Sequence, residues 1–174
     1  MATPRVYLDS CCFIEMLKGD HGLALDHPDD ADMVRRLLRA SRSQAIECWT
    51  SMNAVAEVLG VDKGGTPETA LQKRIESLLL SGRDGVFVHG LSPTVVIKAR
   101  DLVWKEGLRE RAADRNHVAT AIDLGCTEIL SVDDRLAKRF KRTQISNCAL
   151  RTAKETRSLP DEFKQATLFG DGTN

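Results

Sequence analysis

Short apolar runs alternate with longer stretches of helical period along this chain. The run at residues 6–8 reads as a short buried strand. Residues 10–18 follow as a helix, with Phe13, Ile14 and Leu17 on one face and Gly19 as its stop. After a loop over 20–28, a second helix spans 29–42. Met33, Leu37 and Leu38 turn inward there, and Arg35, Arg36, Arg39 and Arg42 mostly outward. AIECWTS gives a second strand ending near Thr50. Residues 52–59 predict a helix with Met52, Val55, Ala56 and Leu59 as its apolar stripe. VDKGGTPE is a loop, and Pro67 suits the first turn of a helix that runs to about Leu80. VFVHG is the third strand. Residues 92–105 form a helix entered through Ser92 and Pro93. EGLRER is a loop, and residues 113–124 form a further helix closed by Gly125. TEILSV is the fourth strand, 135–142 a short basic helix, and ISNCAL a fifth, edge strand.

This alternation predicts an α/β fold: a three-layer α/β/α sandwich around a central, mostly parallel sheet of about five strands. Residues 1–150 form the domain. From 151 to 174 the chain is polar, with Leu159, Phe163, Leu168 and Phe169 scattered through it. That segment reads as a peripheral or partly disordered tail.

Composition narrows the function classes. Hydrophobic residues are 42% of the chain, which excludes a disordered protein. Formal net charge is zero, so any nucleic-acid site is a local patch and not a global field. No apolar run is long enough for a membrane span, and the N-terminus lacks the pattern of a secretory signal. Five cysteines without an export signal predict a reduced, cytoplasmic protein whose thiols act as small buried hydrophobes. The adjacent Cys11 and Cys12 have the wrong spacing for a zinc pair and read as packing for the first helix turn.

Candidate chemistry sits where strands end. Asp9 follows VYL, and Asp133, with Asp134 beside it, follows ILSV. In a parallel sheet the carboxyl ends of the strands share one edge, where ligand crevices form. Glu57 lies in the helix after CWTS, on the side of Asn53. Asp114 begins the helix DRNHVATAIDLG and shares a side with His117, Val118, Ala121 and Ile122. Asp123 is about half a turn out of phase and is assigned to solvent. Taken singly, each acid is also what a helix N-cap or a solvated surface would carry. His117 is a lone histidine beside alanines. It reads as a packing residue and not as a metal ligand, because no second histidine lies at ligand spacing.

Together, the ordered segments VYLDSCCFIEML, TSMNAVAEVL and DRNHVATAIDLGCTEIL running into SVDD resemble the PIN-domain family of metal-dependent nucleases. The resemblance covers roughly residues 6–150. It implies an acidic quartet for Mg²⁺ or Mn²⁺ at Asp9, Glu57, Asp114 and Asp133, with Asp134 an alternative by one place for the last acid. Asp9 and Asp133 are expected to bind metal directly, Asp114 directly or through water, and Glu57 directly or by orienting the water. Ser131 occupies the family's hydroxyl position two residues before the last acid. Ser10, Asn53, His117 and Ser131 are the supporting residues expected around the ligands. Within the family the chain is most similar to VapC-type toxins, ribonucleases neutralised by an antitoxin, and a homodimer is implied. Arg115 and Asn116 depart from the small or apolar residues usual after the third acid, and the segments at 19–32 and beyond 150 are longer than in compact toxins.

Phosphate contacts are expected from two basic clusters, RLAKRFKR and RERAADR, with Arg115, Arg135, Lys138 and Arg139 as RNA-binding residues. Basic runs of this kind also form ordinary solvated helix faces. Aromatics are 5% of the chain, too few for extensive base stacking. Trp49 and Trp104 are assigned to the core or to dimer contacts. The competing reading is a catalytically inactive PIN-like scaffold acting through protein or RNA contacts. Retention of four mutually repelling carboxylates argues against it. A P-loop NTPase is excluded by the lack of GxxxxGK[ST], and a haloacid-dehalogenase-like phosphatase by the lack of DxDx[TV].

Overall fold

A computed structural model of the protein describes residues 3–61 and 67–164. Most of the loop read at 61–68, and Leu168 and Phe169 of the tail, lie outside the described residues. The chain runs β1 (Arg5–Leu8), α1 (Ser10–Asp20), α2 (Pro28–Arg42), β2 (Glu47–Ser51), α3 (Met52–Glu57), α4 (Thr69–Leu80) and β3 (Val86–His89). It continues through α5 (Pro93–Trp104), α6 (Ala112–Asp123), β4 (Glu128–Leu130), α7 (Asp134–Phe140) and β5 (Ala149–Arg151). A 3-10 turn (Ala153–Glu155) and α8 (Asp161–Lys164) follow.

The five strands form one sheet in the order β3-β2-β1-β4-β5, and every pairing is parallel. β1 is central, with Val6 opposite both Cys48 and Glu128. From β1 the chain steps out through β2 to β3, then crosses back to β4 and out to β5. This reversal makes the carboxyl ends of β1 and β4 the switch point of the sheet, the place where open α/β sheets bind ligands. The predicted sandwich, its parallel sheet and its edge strand are all present.

Side-chain alternation along β1 fills both faces. Val6 and Leu8 join Phe13, Leu17, Leu37 and Leu78 on one side. Tyr7 joins Val95, Leu102, Val118, Ile129 and Leu136 on the other. Each fully buried Leu or Phe there contributes roughly 1.5–3 kcal/mol.

Several expectations change in detail. α1 does not stop at Gly19 but runs to Asp20. Gly22, at φ +67°, supplies the left-handed residue, and the Gly22 and Leu23 N–H groups close back on the Gly19 and Lys18 carbonyls. The same closure ends α6 at Gly125, as its sequence predicts. α3 is shorter than predicted, so its apolar stripe shifts. Ala54 and Val58 are buried, while Met52, Ala56 and Leu59 face out. The fifth strand is Ala149–Arg151, so only Ala149 and Leu150 of ISNCAL pair. Asp123, assigned to solvent, is part-exposed and paired: Lys98 holds it at 2.7 Å, and the His89 ring lies at 3.8 Å.

The described part of the chain beyond residue 150 is tied into the domain. Ala153 and Leu159 lie in the core with Val6 and Leu37. The buried Glu128 carboxylate accepts bonds from the Thr156 hydroxyl at 2.6 Å, the Arg157 N–H at 3.1 Å and the Ser158 hydroxyl at 3.0 Å. Asp30 accepts the Lys154 N–H at 2.8 Å.

Candidate metal centre

The residue after β1 is Asp9, and its N–H continues the strand pairing by donating to Leu130 O at 3.0 Å. Asp9 caps α1, its Oδ1 accepting the Ser10 N–H at 2.8 Å. Its Oδ2 accepts the Ser131 hydroxyl at 2.7 Å and lies 3.4 Å from Cys11 Sγ. Ser131 leaves β4 next door and also accepts the Asp133 N–H at 3.2 Å. Asp133 caps α7 with Oδ1, which accepts the Arg135 and Leu136 N–H groups. Both strand-end acids are therefore helix caps, and both reach the switch point as well. Asp134, in the first turn of α7, is exposed.

Three donors converge at the centre. His117 Nε2 lies 2.8 Å from Glu57 Oε2 and 3.5 Å from Asp9 Oδ1. One donor atom from each of Asp9, Glu57 and His117 falls within 4.8 Å of the others. The far nitrogen, Nδ1, is 2.7 Å from the Tyr7 hydroxyl, which donates to Ser51 Oγ at 2.8 Å. Tyr7 and Ser51 are fully buried. With the hydroxyl proton committed to Ser51, Tyr7 accepts from Nδ1–H and turns Nε2 toward the carboxylates. Such an outer partner fixes the ring of a metal-ligating histidine. Two carboxylate oxygens and an imidazole nitrogen at this spacing could hold a divalent cation.

The electrostatics follow from this packing. Burial works against a charged His117, but the Glu57 bond and the fields of Asp9 and Asp114 outweigh it and raise its pKa above 6.5. The same His117 bond holds the Glu57 carboxyl below its usual range, with burial opposing and Ser10 assisting.

A second group forms around Arg135. One of its nitrogens, Nη2, lies 2.9 Å from Asp114 Oδ2 and 3.2 Å from Asp133 Oδ2. Its Nε is 3.7 Å from Glu110 Oε2, and Arg139 Nε grips the other Glu110 oxygen at 2.7 Å. Burial raises the Asp114 carboxyl, Arg135 partly offsets this, and Asp9, Glu110 and Asp133 add to it.

The sequence-predicted residues thus separate into groups. Asp9, Glu57 and His117 meet directly, with Ser10 and Ser131 bonded to Asp9. Asp114 and Asp133 meet through Arg135. Asn53 turns from the acids and donates to Ala113 O at 3.3 Å, joining α3 to α6. Arg135 and Arg139 are engaged with acids, and Lys138 is exposed. Arg115 Nε is buried without a hydrogen-bond partner among the described residues. Trp49 stacks on Phe87 at 5.2 Å, and Trp104 is 70% exposed, so Trp104 is not a core residue. Tyr7, Ser51, Cys11 and Glu110 are the site's unforeseen members. Glu110 is the one with a visible signal, an acid set between two arginines in RERAADR.

No curated protein matches this chain. The profile of the PIN domain family matches residues 6–142, a span that opens inside β1, closes just past α7 and takes in Asp9, Glu57, Asp114 and Asp133. A parallel sheet whose switch point gathers these acids, under a family match covering most of its length, makes this chain a member of the PIN domain family.

Proposed function

We propose that this protein is a metal-dependent endoribonuclease, the toxin of a type II toxin–antitoxin pair similar to VapC. PIN domains are generally nucleases, and the observation that carries the reading is the convergence of Asp9, Glu57 and His117 beside Asp114 and Asp133 at the carboxyl edge of the sheet.

Asp9, Glu57 and His117 would hold Mg²⁺ or Mn²⁺, with Asp114 and Asp133 beside them around Arg135. A bound divalent cation supplies positive charge at the phosphoryl oxygen and lowers the pKa of water. Ser131 and the Ser10 N–H fix the Asp9 carboxylate. Tyr7 fixes the His117 ring. Glu57 is half-buried and would take the proton of the attacking water at the carboxylate oxygen that does not face His117. The water oxygen bonds to phosphorus, the bond to the 3′-oxygen breaks, and that oxygen takes up a proton from solvent water. The products are a 3′-hydroxyl and a 5′-phosphate. Arg115, Arg135, Lys138 and Arg139 border the site from α6 and α7 and meet the RNA phosphates.

The α5 surface supports a homodimer. Val96 and Ile97 are about half exposed, and Trp104 lies about two turns further along the same face, with Arg100 over its ring at 4.4 Å. Among the described residues no helix is long and apolar enough to cross a membrane. All five cysteines are free, and burial pushes the Cys48, Cys126 and Cys148 thiols up to about 12. These features fit a reducing, cytoplasmic setting.

The test is cleavage of structured RNA by the purified chain, free of any antitoxin, with Mg²⁺ or Mn²⁺. Asp9→Asn and Asp133→Asn variants should lose activity and Asp134→Asn should keep it. Cleavage unchanged in the first two variants sinks the site assignment. No cleavage across a broad set of RNAs favours an inactive scaffold.

A further inference from the structure

We infer that this site takes one divalent cation and not two, because the Arg135 guanidinium permanently fills the second cationic position. The inference rests on the reading of Asp9, Glu57 and His117 as a metal centre. It concerns the other half of the acidic constellation.

Multiple carboxylates in one site invite two bridging cations. Here the carboxylates are divided between two positive centres. Asp9 and Glu57 share His117. Asp114 and Asp133 share a single nitrogen of Arg135, one oxygen of each within 3.2 Å of it. That is the bridging role a metal would play between the same two oxygens. The guanidinium carries the charge of its own accord, since it does not deprotonate in proteins.

Arg135 is also anchored. Its N–H is capped by Asp133 Oδ1 at 2.8 Å, which places the side chain's origin beside the acids it serves. Its Nε lies against Glu110, whose side chain is 2% exposed and is gripped from behind by Arg139 at 2.7 Å. Moving Arg135 out would leave Asp114 and Asp133 without their guanidinium in a part-buried setting, a costly arrangement. Five carboxylates stand against two guanidiniums, Arg135 and Arg139, so one divalent ion nearly balances the site. An incoming phosphate then meets one exchangeable cation and one fixed one.

The test is Mn²⁺ stoichiometry. The intact chain is titrated with Mn²⁺, and free ion is followed by its electron paramagnetic resonance signal. Wild type should saturate at one ion per chain, with no spin coupling between ions. Arg135→Gln and Arg135→Ala, checked for fold by circular dichroism, should take up a second ion. Two ions in wild type, no bound ion in wild type, or one ion in well-folded variants at saturating Mn²⁺ each overturns the inference. If both variants fail to fold, the wild-type count and the coupling signal still decide. The nuclease reading fails separately. A chain that binds one Mn²⁺ and cuts no RNA sinks that reading alone, and a two-ion chain that cuts RNA sinks this one alone.

Discussion

Tyr7→Phe isolates the polar contribution of the residue behind the metal centre. Phenylalanine keeps the ring, which sits fully buried on the sheet face with Val118 and Ile129. No cavity opens, so the packing part of the change is near zero. What is lost is one hydroxyl that joins His117 Nδ1 at 2.7 Å to Ser51 Oγ at 2.8 Å. Leaving buried polar groups unpaired costs about 1–3 kcal/mol. Ser51 Oγ already lies 3.4 Å from Nδ1 and can take over in part, which favours the lower half of that range. In a chain of this length about 1–2 kcal/mol lowers the melting temperature by roughly 2–8 °C. Loss of the partner that orients a ligating histidine should also weaken metal binding by about 10–100-fold. The assay is a pair of thermal melts in chelator, followed by Mn²⁺ titration of wild type and variant. A variant that melts within about 1 °C of wild type and binds Mn²⁺ equally well refutes the role given to Tyr7.

Further predictions concern charge, anchoring and backbone. Without metal, His117 has a raised pKa in the fold, so its stabilisation is full below about pH 6.5 and is lost as pH rises through the folded value. Glu57 has a lowered pKa, so its contribution is full above about pH 4.5 and is lost as pH falls through the folded value. Urea unfolding in chelator should therefore show stability falling on both sides, and His117→Gln should flatten the alkaline limb. Glu128→Ala strands Arg151 and the 156–158 turn and should cost about 3 kcal/mol by urea unfolding, with faster proteolysis near residue 157. An equal cleavage rate in that variant would contradict the anchoring role. Gly85→Ala should destabilise more than Gly125→Ala. Both glycines have positive φ, but a Cβ at Gly85 meets Leu38 O at 2.8 Å and Arg42 N at 2.9 Å, whereas Gly125 has nothing within 4 Å. Equal melting temperatures for the two variants would contradict this.

Much of the scaffold is legible in the sequence because its signals are local. An acid directly after a buried parallel strand must lie at the sheet's carboxyl edge, so Asp9 and Asp133 follow from one-dimensional pattern alone. Gly125 likewise closes α6 as expected. The parts that are not legible depend on contacts between distant elements. His117 reads as a packing residue because no second histidine accompanies it, yet the packing of α6 beside α3 and the carboxyl end of β1 supplies two carboxylates, Glu57 and Asp9, as its companions. Arg135 and Arg139 read as phosphate ligands on a basic run. The pattern does not reveal that they also pair with Glu110, Asp114 and Asp133, since part-buried carboxylates attract the nearest guanidinium. Glu128 inside an apolar strand carries no sign that residues 156–158 return to cap it. Leu59 continues the apolar stripe of α3 by period, but the helix ends at Glu57 and leaves it 72% exposed.

The central claim is that Asp9, Glu57 and His117 form a metal centre. Anomalous diffraction from crystals grown with Mn²⁺ tests it most directly. The account predicts a single anomalous peak within coordination distance of the Asp9 and Glu57 carboxylates and His117 Nε2, with Arg135 still bridging Asp114 and Asp133. A peak elsewhere, or none at saturating Mn²⁺, contradicts it.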